Sequence, residues 1–354
     1  MIRFAGASLL LGACCVAFFE LAFLRLGDSL SYERVISLQR SQGLLYAQGF
    51  FNARNEYKIL GAKAAKAEVL ALGSSRVMQL RQEDIPRRRF YNAANSASML
   101  GEVDGMAAIL KSVVEDAVPR TVLLELDPWL FNPNYPSNQK KAGGRGRLKR
   151  LLYENRVSRA LLDGYWSLVW RLESYEALIR CGRPWLRELA VPSGPGIGLD
   201  ARLLRTGFAS DGSFVYPREY LERKEPELSA EEWERAFQGR NVWYPETDRL
   251  DASALAGLER LMDLARERRI RVVGVLPPFR PDLYAVLERR AFFRSFRTTV
   301  CETLRRRGGE CFDFSSPASL GLSAADFYDE KHMNQRAWRQ IVARLGRALE
   351  PKTD

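Results

Sequence analysis

The chain begins with a long apolar run. Residues 4–24 contain one ionisable side chain, Glu20, and Arg3 precedes them. About 20 apolar residues are enough to cross the hydrocarbon core of a bilayer, and a positive charge ahead of such a span favours a cytoplasmic N-terminus. We therefore predict that residues 1–27 form a cytoplasmic N-terminus and a transmembrane signal anchor. A lipoprotein modified at Cys14, which ends a lipobox-like sequence, and a buried core helix are the alternatives.

After this segment, short apolar runs alternate with longer amphipathic stretches. Residues 28–66 are polar, with apolar positions at roughly helical intervals, and we interpret them as a stalk. Beyond them the predicted strands are 68–73, 89–92, 120–127, 270–276 and 310–314, and the predicted helices are 101–117, 252–269, 282–307 and 335–349. Strands that alternate with helices indicate an α/β domain with a parallel sheet. We predict that residues 67–350 form a doubly wound, flavodoxin-like sheet of about five strands flanked by helices.

Residues of about 133–250 break this alternation. A loop rich in Pro, Asn, Gly and Lys leads into an amphipathic stretch that carries Trp166, Trp170 and Trp185, and a polar stretch follows. No series of strand patterns is found in this segment. We therefore predict a mainly helical insertion in the α/β domain that caps the site or contacts a partner.

Composition narrows the classes of function. Lys and Arg number 54 against 43 Asp and Glu, a formal charge of +11, and the excess is spread along the chain. This charge permits contact with anionic lipid or glycan, but no nucleic-acid-binding motif accompanies it, so we predict no nucleic-acid partner. The chain has one histidine, His332, which excludes a multi-histidine metal site. Cys301 and Cys311 could form a disulfide in an oxidising compartment, although the sequence alone does not decide this.

Two short motifs lie where the predicted fold would place a site. The first strand ends at Gly73-Ser74-Ser75, where glycine permits a tight bend and a serine hydroxyl faces solvent. The second motif, Asp329-Glu-Lys-His332, precedes the last helix, and its aspartate can orient the imidazole as a general base. Ligands bind at the carboxyl ends of the strands in such a sheet. We therefore predict a catalytic triad of Ser75, with Ser74 as the alternative nucleophile, His332 and Asp329.

With these motifs the chain resembles the SGNH, or GDSL-type, hydrolase superfamily. The first block of that superfamily is Gly-Asp-Ser after the first strand, and its last block is Asp-x-x-His before the C-terminal helix. The Gly-Ser-Ser form is similar to the branch that includes the D-alanine transfer proteins of teichoic acid decoration. The layout also resembles that of envelope polysaccharide O-acetyltransferases. The resemblance implies serine acyl chemistry without a metal or organic cofactor, at the outer face of the cytoplasmic membrane.

The resemblance is incomplete at the oxyanion hole. The superfamily's second block should supply a glycine where this chain has Tyr-Asn92-Ala-Ala-Asn95, and its third block, Gly-x-Asn-Asp, is replaced by a sequence that ends at Asn132. The Ser75 N–H and the side chains of Asn92, Asn95 and Asn132 are therefore the candidate oxyanion donors. Arg76 is a candidate for binding an anionic part of a substrate, and a solvated helix residue is the alternative interpretation.

The function expected from these observations is that of a single-pass, outward-facing serine esterase or O-acyltransferase. Its substrate would be an acylated envelope glycan or an acyl donor, and a multipass membrane acyltransferase is a possible partner. The catalytic domain would lie in the periplasm or extracellular space. The alternative is a non-catalytic envelope protein of the same fold that binds glycan or organises an acyl-transfer complex.

Overall fold

A computed structural model of the chain describes residues 2–28, 30–47, 55–95, 102–135, 138, 187, 195–222, 225–238 and 244–349. At residues 2–13, 102 and 347 it describes the backbone alone. The described residues belong to two units. The first takes its residues from Met1–Asn52, Leu152–Ser210 and Phe214–Pro217, and the second from Ala53–Leu151, Asp211–Ser213 and Arg218–Asp354.

The strands and helices are numbered in chain order. The strands are β1 (Val69–Leu72), β2 (Phe90–Asn92), β3 (Thr121–Glu125), β4 (Gly207–Phe208), β5 (Phe214–Val215), β6 (Arg271–Leu276) and β7 (Glu310–Asp313). The helices are α1 (Ile2–Leu26), α2 (Tyr32–Gln42), α3 (Asn55–Ala65), α4 (Glu102–Val113), α5 (Leu199–Leu203), α6 (Arg218–Glu222), α7 (Ala230–Gln238), α8 (Ala252–Glu267), α9 (Pro281–Leu287), α10 (Ala291–Arg306) and α11 (Gln335–Leu345).

The second unit is built on a five-stranded parallel sheet. Its strand order is β2-β1-β3-β6-β7, and every neighbouring pair runs parallel. All residues of β1, β2 and β3 are buried, as expected for strands that are covered on both faces by helices and therefore consist of continuous apolar runs. The five predicted strands and the α/β fold class are confirmed.

Helices cover this sheet and enclose its core. α4 packs against α3 and α8, and α10 packs against β7. The predicted helix 282–307 is two helices, α9 and α10, because the chain turns between them. Arg294 Nη1 donates to the carbonyls of Glu288 and Arg289, at 2.9 and 2.6 Å, and so satisfies the carbonyls exposed where α9 ends.

Residues 28–66 do not have the arrangement expected of a stalk. Helix α2 belongs to the first unit and buries Val35, Ile36 and Gln39, and Gln39 Nε2 donates to Phe208 O at 2.8 Å. Helix α3 belongs to the second unit and packs against β2 and α4. The apolar positions at helical spacing are therefore core faces of the two units.

The structure describes the insertion at about 133–250 in part. It contributes a short antiparallel hairpin, β4–β5, besides helices α5, α6 and α7. Its residues are divided between the units, and Trp233 and Phe237 of α7 pack into the core of the α/β domain. The predicted helical stretch with Trp166, Trp170 and Trp185 lies outside the described residues.

The end of α1 packs within the first unit. Ala22, Phe23 and Leu26 are buried in one cluster with Leu199 at the start of α5. Asp28 Oδ2 accepts a hydrogen bond from Leu199 N–H at 3.0 Å. A search of the described residues for a helix with the length and hydrophobicity of a membrane span finds none.

A disulfide joins Cys301 on α10 to Cys311 on β7, with a Cα–Cα distance of 5.2 Å. It closes the connection between a helix and the edge strand that the helix covers. The sequence left this pairing open, and the structure contains it.

Lys58 of helix α3 is a fully buried lysine. Its Nζ donates to Asn92 O at 2.8 Å and to Gly212 O at 2.5 Å, and it thereby holds residues 211–213 against the end of β2. Burial lowers the pKa of Lys58 from 10.5 to about 7, and the negative charge of Asp211 opposes this shift only in part.

We predict that this burial makes stability depend on pH. Between pH 7 and 10.5 the unfolded chain protonates Lys58 and the folded chain does not. The free energy of unfolding of the wild type, relative to Lys58→Met, should therefore fall as the pH drops from 10.5 to 7 and stay constant below 7. Denaturant unfolding at several pH values measures this difference. Lys63→Met serves as a partly exposed control, and the same pH trend in both variants would contradict the assignment.

Candidate active site

The turn after β1 positions the candidate nucleophile. Gly73 has a φ of 154°, and a Cβ at this position would lie 2.7 Å from Glu125 Cβ, so both the backbone and the available space require glycine. A 3-10 turn, Ser75–Val77, follows, and Ser74 caps it because Ser74 Oγ accepts from Arg76 N–H at 3.1 Å. The Ser74 hydroxyl is thus engaged as a cap.

The loop before α11 positions the histidine. Phe327 and Met333 pair as an antiparallel bridge, so the loop between them folds back on itself. Asp329 Oδ1 accepts from His332 N–H at 2.7 Å, and Asp329 Oδ2 lies 2.6 Å from His332 Nδ1. A carboxylate at Nδ1 favours the tautomer whose proton is on that nitrogen, which leaves Nε2 free to accept a proton.

The two loops meet at the carboxyl edge of the sheet. Ser75 Oγ lies 2.8 Å from His332 Nε2, although 257 positions separate the residues. The side chains of His332 and Asp329 are 14% and 13% exposed, so the site is open to solvent on one side. The structure therefore brings Ser75, His332 and Asp329 together in the order serine, imidazole, carboxylate, and it gives the imidazole contact to Ser75 and not to Ser74.

Asp329 is surrounded by hydrogen-bond donors. Besides the two contacts from His332, Asp329 Oδ1 accepts from Lys331 N–H at 2.9 Å, and Oδ2 accepts from the Tyr220 hydroxyl at 2.8 Å. Burial alone would raise the pKa of Asp329, but the hydrogen bonds and charge of His332 and the backbone donors outweigh burial and hold this pKa well below its usual range. Asp329 therefore remains an anion that can stabilise an imidazolium.

Tyr220 is a site residue that the sequence did not reveal. It lies on α6, in the segment predicted as an insertion, and its ring centroid is 6.4 Å from that of His332 and 5.6 Å from that of Tyr328. Its contact with Asp329 joins positions 109 residues apart. No local motif marks such a residue. The only indication in the sequence was the prediction that this segment caps the site.

Asn92 is not available as an oxyanion donor, contrary to the prediction. It is fully buried, and its Nδ2 donates to Val77 O at 2.8 Å and to Leu80 O at 2.9 Å. Its Oδ1 accepts from Ala94 N–H at 3.1 Å. With both ends of the amide satisfied, Asn92 fixes the turn that follows the nucleophile.

Asn132 is likewise engaged in hydrogen bonds within the protein. Its Nδ2 donates to Pro245 O at 2.7 Å, and its Oδ1 accepts from Asn134 N–H at 2.8 Å. Asn95 remains a candidate. Its N–H donates to Gly73 O at 2.9 Å, beside the nucleophile turn, and its φ of 55° is in the left-handed region that glycine and asparagine tolerate. Asparagine thus occupies the place where glycine was expected.

Neither prediction for Arg76, an anion-binding residue or a solvated one, agrees with the structure. Its side chain is buried, and Nη1 lies 2.5 Å from Asp127 Oδ1. Nε donates to Lys331 O at 2.9 Å, Nη2 donates to Pro278 O, and the guanidinium lies 4.2 Å from the centroid of the Phe279 ring. Since all these partners belong to the protein, Arg76 connects the nucleophile turn to the histidine loop.

Comparison of the chain with protein-family models and with curated proteins finds no match. Among the described residues, no group of three or more His, Cys, Asp and Glu side chains is placed to hold a metal ion.

We predict that Tyr220→Phe slows the reaction of Ser75 with a fluorophosphonate probe by roughly 10-fold, because a hydrogen bond to a charged group contributes about 1.5–3 kcal/mol and three donors to Asp329 remain. Labelling rates over a range of probe concentrations measure the change. Tyr328→Phe removes a hydroxyl from the neighbouring ring and is the matched control. Equal rates in wild type and Tyr220→Phe would show that the hydroxyl does not support the triad.

Proposed function

We propose that the protein is a serine esterase or O-acyltransferase of SGNH type that acts on an acylated cell-envelope glycan or its acyl donor. The observation that carries the proposal is the continuous chain from Ser75 Oγ through both nitrogens of His332 to Asp329, with separations of 2.8 and 2.6 Å. The first distance allows proton transfer from Ser75 to His332, and the second allows a hydrogen bond by which Asp329 orients the imidazole. The fold supports the proposal because these side chains lie at the carboxyl edge of a parallel sheet, where ligands bind in this architecture.

In the proposed reaction, Ser75 Oγ attacks an ester carbonyl while its proton passes to His332 Nε2. Asp329 stabilises the imidazolium through Nδ1–H. The imidazolium then protonates the leaving alkoxide, and an acyl-Ser75 ester remains. In the second half, water or a glycan hydroxyl attacks that ester while His332 accepts its proton, and the imidazolium then returns a proton to Ser75 Oγ as the acyl–Ser75 bond breaks. Hydrolysis and transfer thus use the same three residues and differ in the second acceptor.

The oxyanion that forms in each half requires donors beside Ser75. Ser75 N–H opens the 3-10 turn and donates to no acceptor within the described ranges, so it can donate to a bound oxyanion. The Asn95 side chain is the second donor in the proposal, because this residue is joined to Gly73 by a backbone hydrogen bond and is only partly buried.

We also propose that α1 anchors the protein in the cytoplasmic membrane and that the α/β domain lies outside. The apolar run at residues 4–24 supports this, and so does the exposure of Val16, Phe18, Leu21 and Leu24, whose side chains make α1 apolar on its outer face. The Cys301–Cys311 disulfide is typical of an oxidising compartment. A multipass membrane acyltransferase is the partner that would supply acyl groups across the membrane.

The triad predicts how activity responds to substitution. Ser75→Ala and His332→Ala should each lower turnover of an acylated glycan by about 10³-fold or more, and the double variant should lose scarcely more than either alone, because removing one member disables the unit. Asp329→Ala should lose less. Hydrolysis assays with the purified chain measure these rates.

The matched control for these variants is Ser74→Ala. Wild type and Ser74→Ala should be labelled by a fluorophosphonate, and Ser75→Ala should not. Absence of labelling in the wild type, or independent multiplicative losses in the double variant, would favour a non-catalytic envelope protein.

The topology is predicted separately. A reporter fused after Asp354 should read as periplasmic or extracellular, because Arg3 keeps the N-terminus inside and one span crosses. Cysteine-accessibility labelling gives an independent measurement. Cytoplasmic reporter activity would overturn the anchor, and loss of membrane association in Cys14→Ser would assign anchorage to a lipid on Cys14 instead.

A further inference from the structure

Two acidic side chains lie fully buried beneath the nucleophile turn. Glu125 ends β3, and Asp127 follows two positions later. Arg76, also buried, lies against them. The proposed reaction uses none of the three, and burying charged groups costs several kcal/mol each unless they are paired and hydrogen-bonded. Their arrangement therefore needs an explanation.

The contacts of the two carboxyl groups satisfy only one oxygen of each. Glu125 Oε2 accepts from Ser74 N–H at 2.6 Å, and Asp127 Oδ1 is paired with Arg76. The other two oxygens, Glu125 Oε1 and Asp127 Oδ2, are buried and have no donor among the described residues. A proton bound to one of these two oxygens and donated to the other would satisfy both, whereas two ionised carboxylates beside a single guanidinium would leave a net negative charge in the interior.

The surrounding charges identify which one. Asp127 is within 2.5 Å of the Arg76 guanidinium, which stabilises its anion. Burial, and next the negative charge of Asp127, raise the pKa of Glu125 well above its usual range. With Glu125 neutral, the buried group of three has one positive and one negative charge and is electrically balanced.

We propose that Glu125 and Asp127 share one proton, carried by Glu125, and that this pair positions the reacting groups. Glu125 fixes the nucleophile turn through Ser74 N–H, and Asp127 orients Arg76, whose Nε holds the carbonyl of Lys331 beside His332. Glu125, Asp127 and Arg76 are thus positioning residues. Only the effect on catalysis rests on the proposed function, whereas the position of the proton does not.

Isosteric variants distinguish the two carboxyl groups. In Glu125→Gln the amide oxygen can accept from Ser74 N–H and the amide NH₂ can donate to Asp127, so every contact of a protonated Glu125 is preserved. Asp127→Asn removes the charge that pairs with Arg76. We expect Glu125→Gln to keep its Tm within about 2 °C of the wild type, whereas Asp127→Asn and Glu125→Ala lose roughly 10 °C. Thermal unfolding of the full chain in detergent micelles measures these shifts.

Each other pattern overturns the proposal. If Asp127→Asn is tolerated and Glu125→Gln is not, the proton is on Asp127. If both are equally damaging, both groups are ionised, and if both are harmless, the pair does not support the turn. Thermal unfolding requires no enzymatic activity, so these outcomes are decided even if the wild type fails to react with a serine probe.

The effect of Glu125 on the position of the reacting groups can be measured at His332, the only histidine of the chain. In protein labelled with ¹⁵N-histidine, the ring nitrogen signals of His332 report its hydrogen bonds to Ser75 and Asp329. Below the unfolding transition, Glu125→Ala should shift or broaden these signals, and Glu125→Gln should restore them. The maximal fluorophosphonate labelling rate should fall roughly 10- to 100-fold in Glu125→Ala, with little change in probe affinity. If folded Glu125→Ala gives the same His332 signals as the wild type, Glu125 does not position the reacting groups. If the His332 signals change as expected but the wild type does not react with the fluorophosphonate, only the proposed function is refuted.

Discussion

A guanidinium buried at the carboxyl edge of the sheet needs a partner for its charge and an acceptor for each donor. Arg76 satisfies this requirement with groups that follow two different strands and with the histidine loop. Asp127 follows β3, Pro278 follows β6, and Lys331 is adjacent to His332. Because removing any one of these acceptors would leave a buried polar group unsatisfied, the four chain segments are held in one arrangement. The distance between Ser75 and His332 depends on this arrangement.

The sheet could be predicted from the sequence because strands that are buried on both faces consist of continuous apolar runs. β1, β3 and β6 are short runs rich in Val and Leu, and the composition of such runs does not depend on which strands become neighbours. The triad was predictable for a similar reason. Asp329 and His332 are three positions apart in one loop, and Ser75 follows a glycine that the structure shows to be sterically required.

The remaining site residues depend on partners that are distant in sequence. Asn92 was predicted to be an oxyanion donor because its side chain is an amide. In the structure this amide donates to the carbonyls of Val77 and Leu80, and a strand pattern does not reveal such contacts. Arg76 looked like a surface residue because arginine is seldom fully buried. Residues 28–66 looked like a stalk because their apolar positions are few, yet those positions are the buried faces of two helices that belong to different units.

The packing at the end of α1 determines what would be lost if this helix were removed. The chain passes between the two units after residues 52, 151, 210, 213 and 217, so no single cut separates them. Ala22, Phe23 and Leu26 cover Leu199, so a truncation intended to remove only a membrane segment would also take away part of a hydrophobic cluster. The first helix is therefore a component of the folded protein as well as its proposed anchor, and a soluble variant would need polar replacements on the exposed face of α1 in place of its deletion.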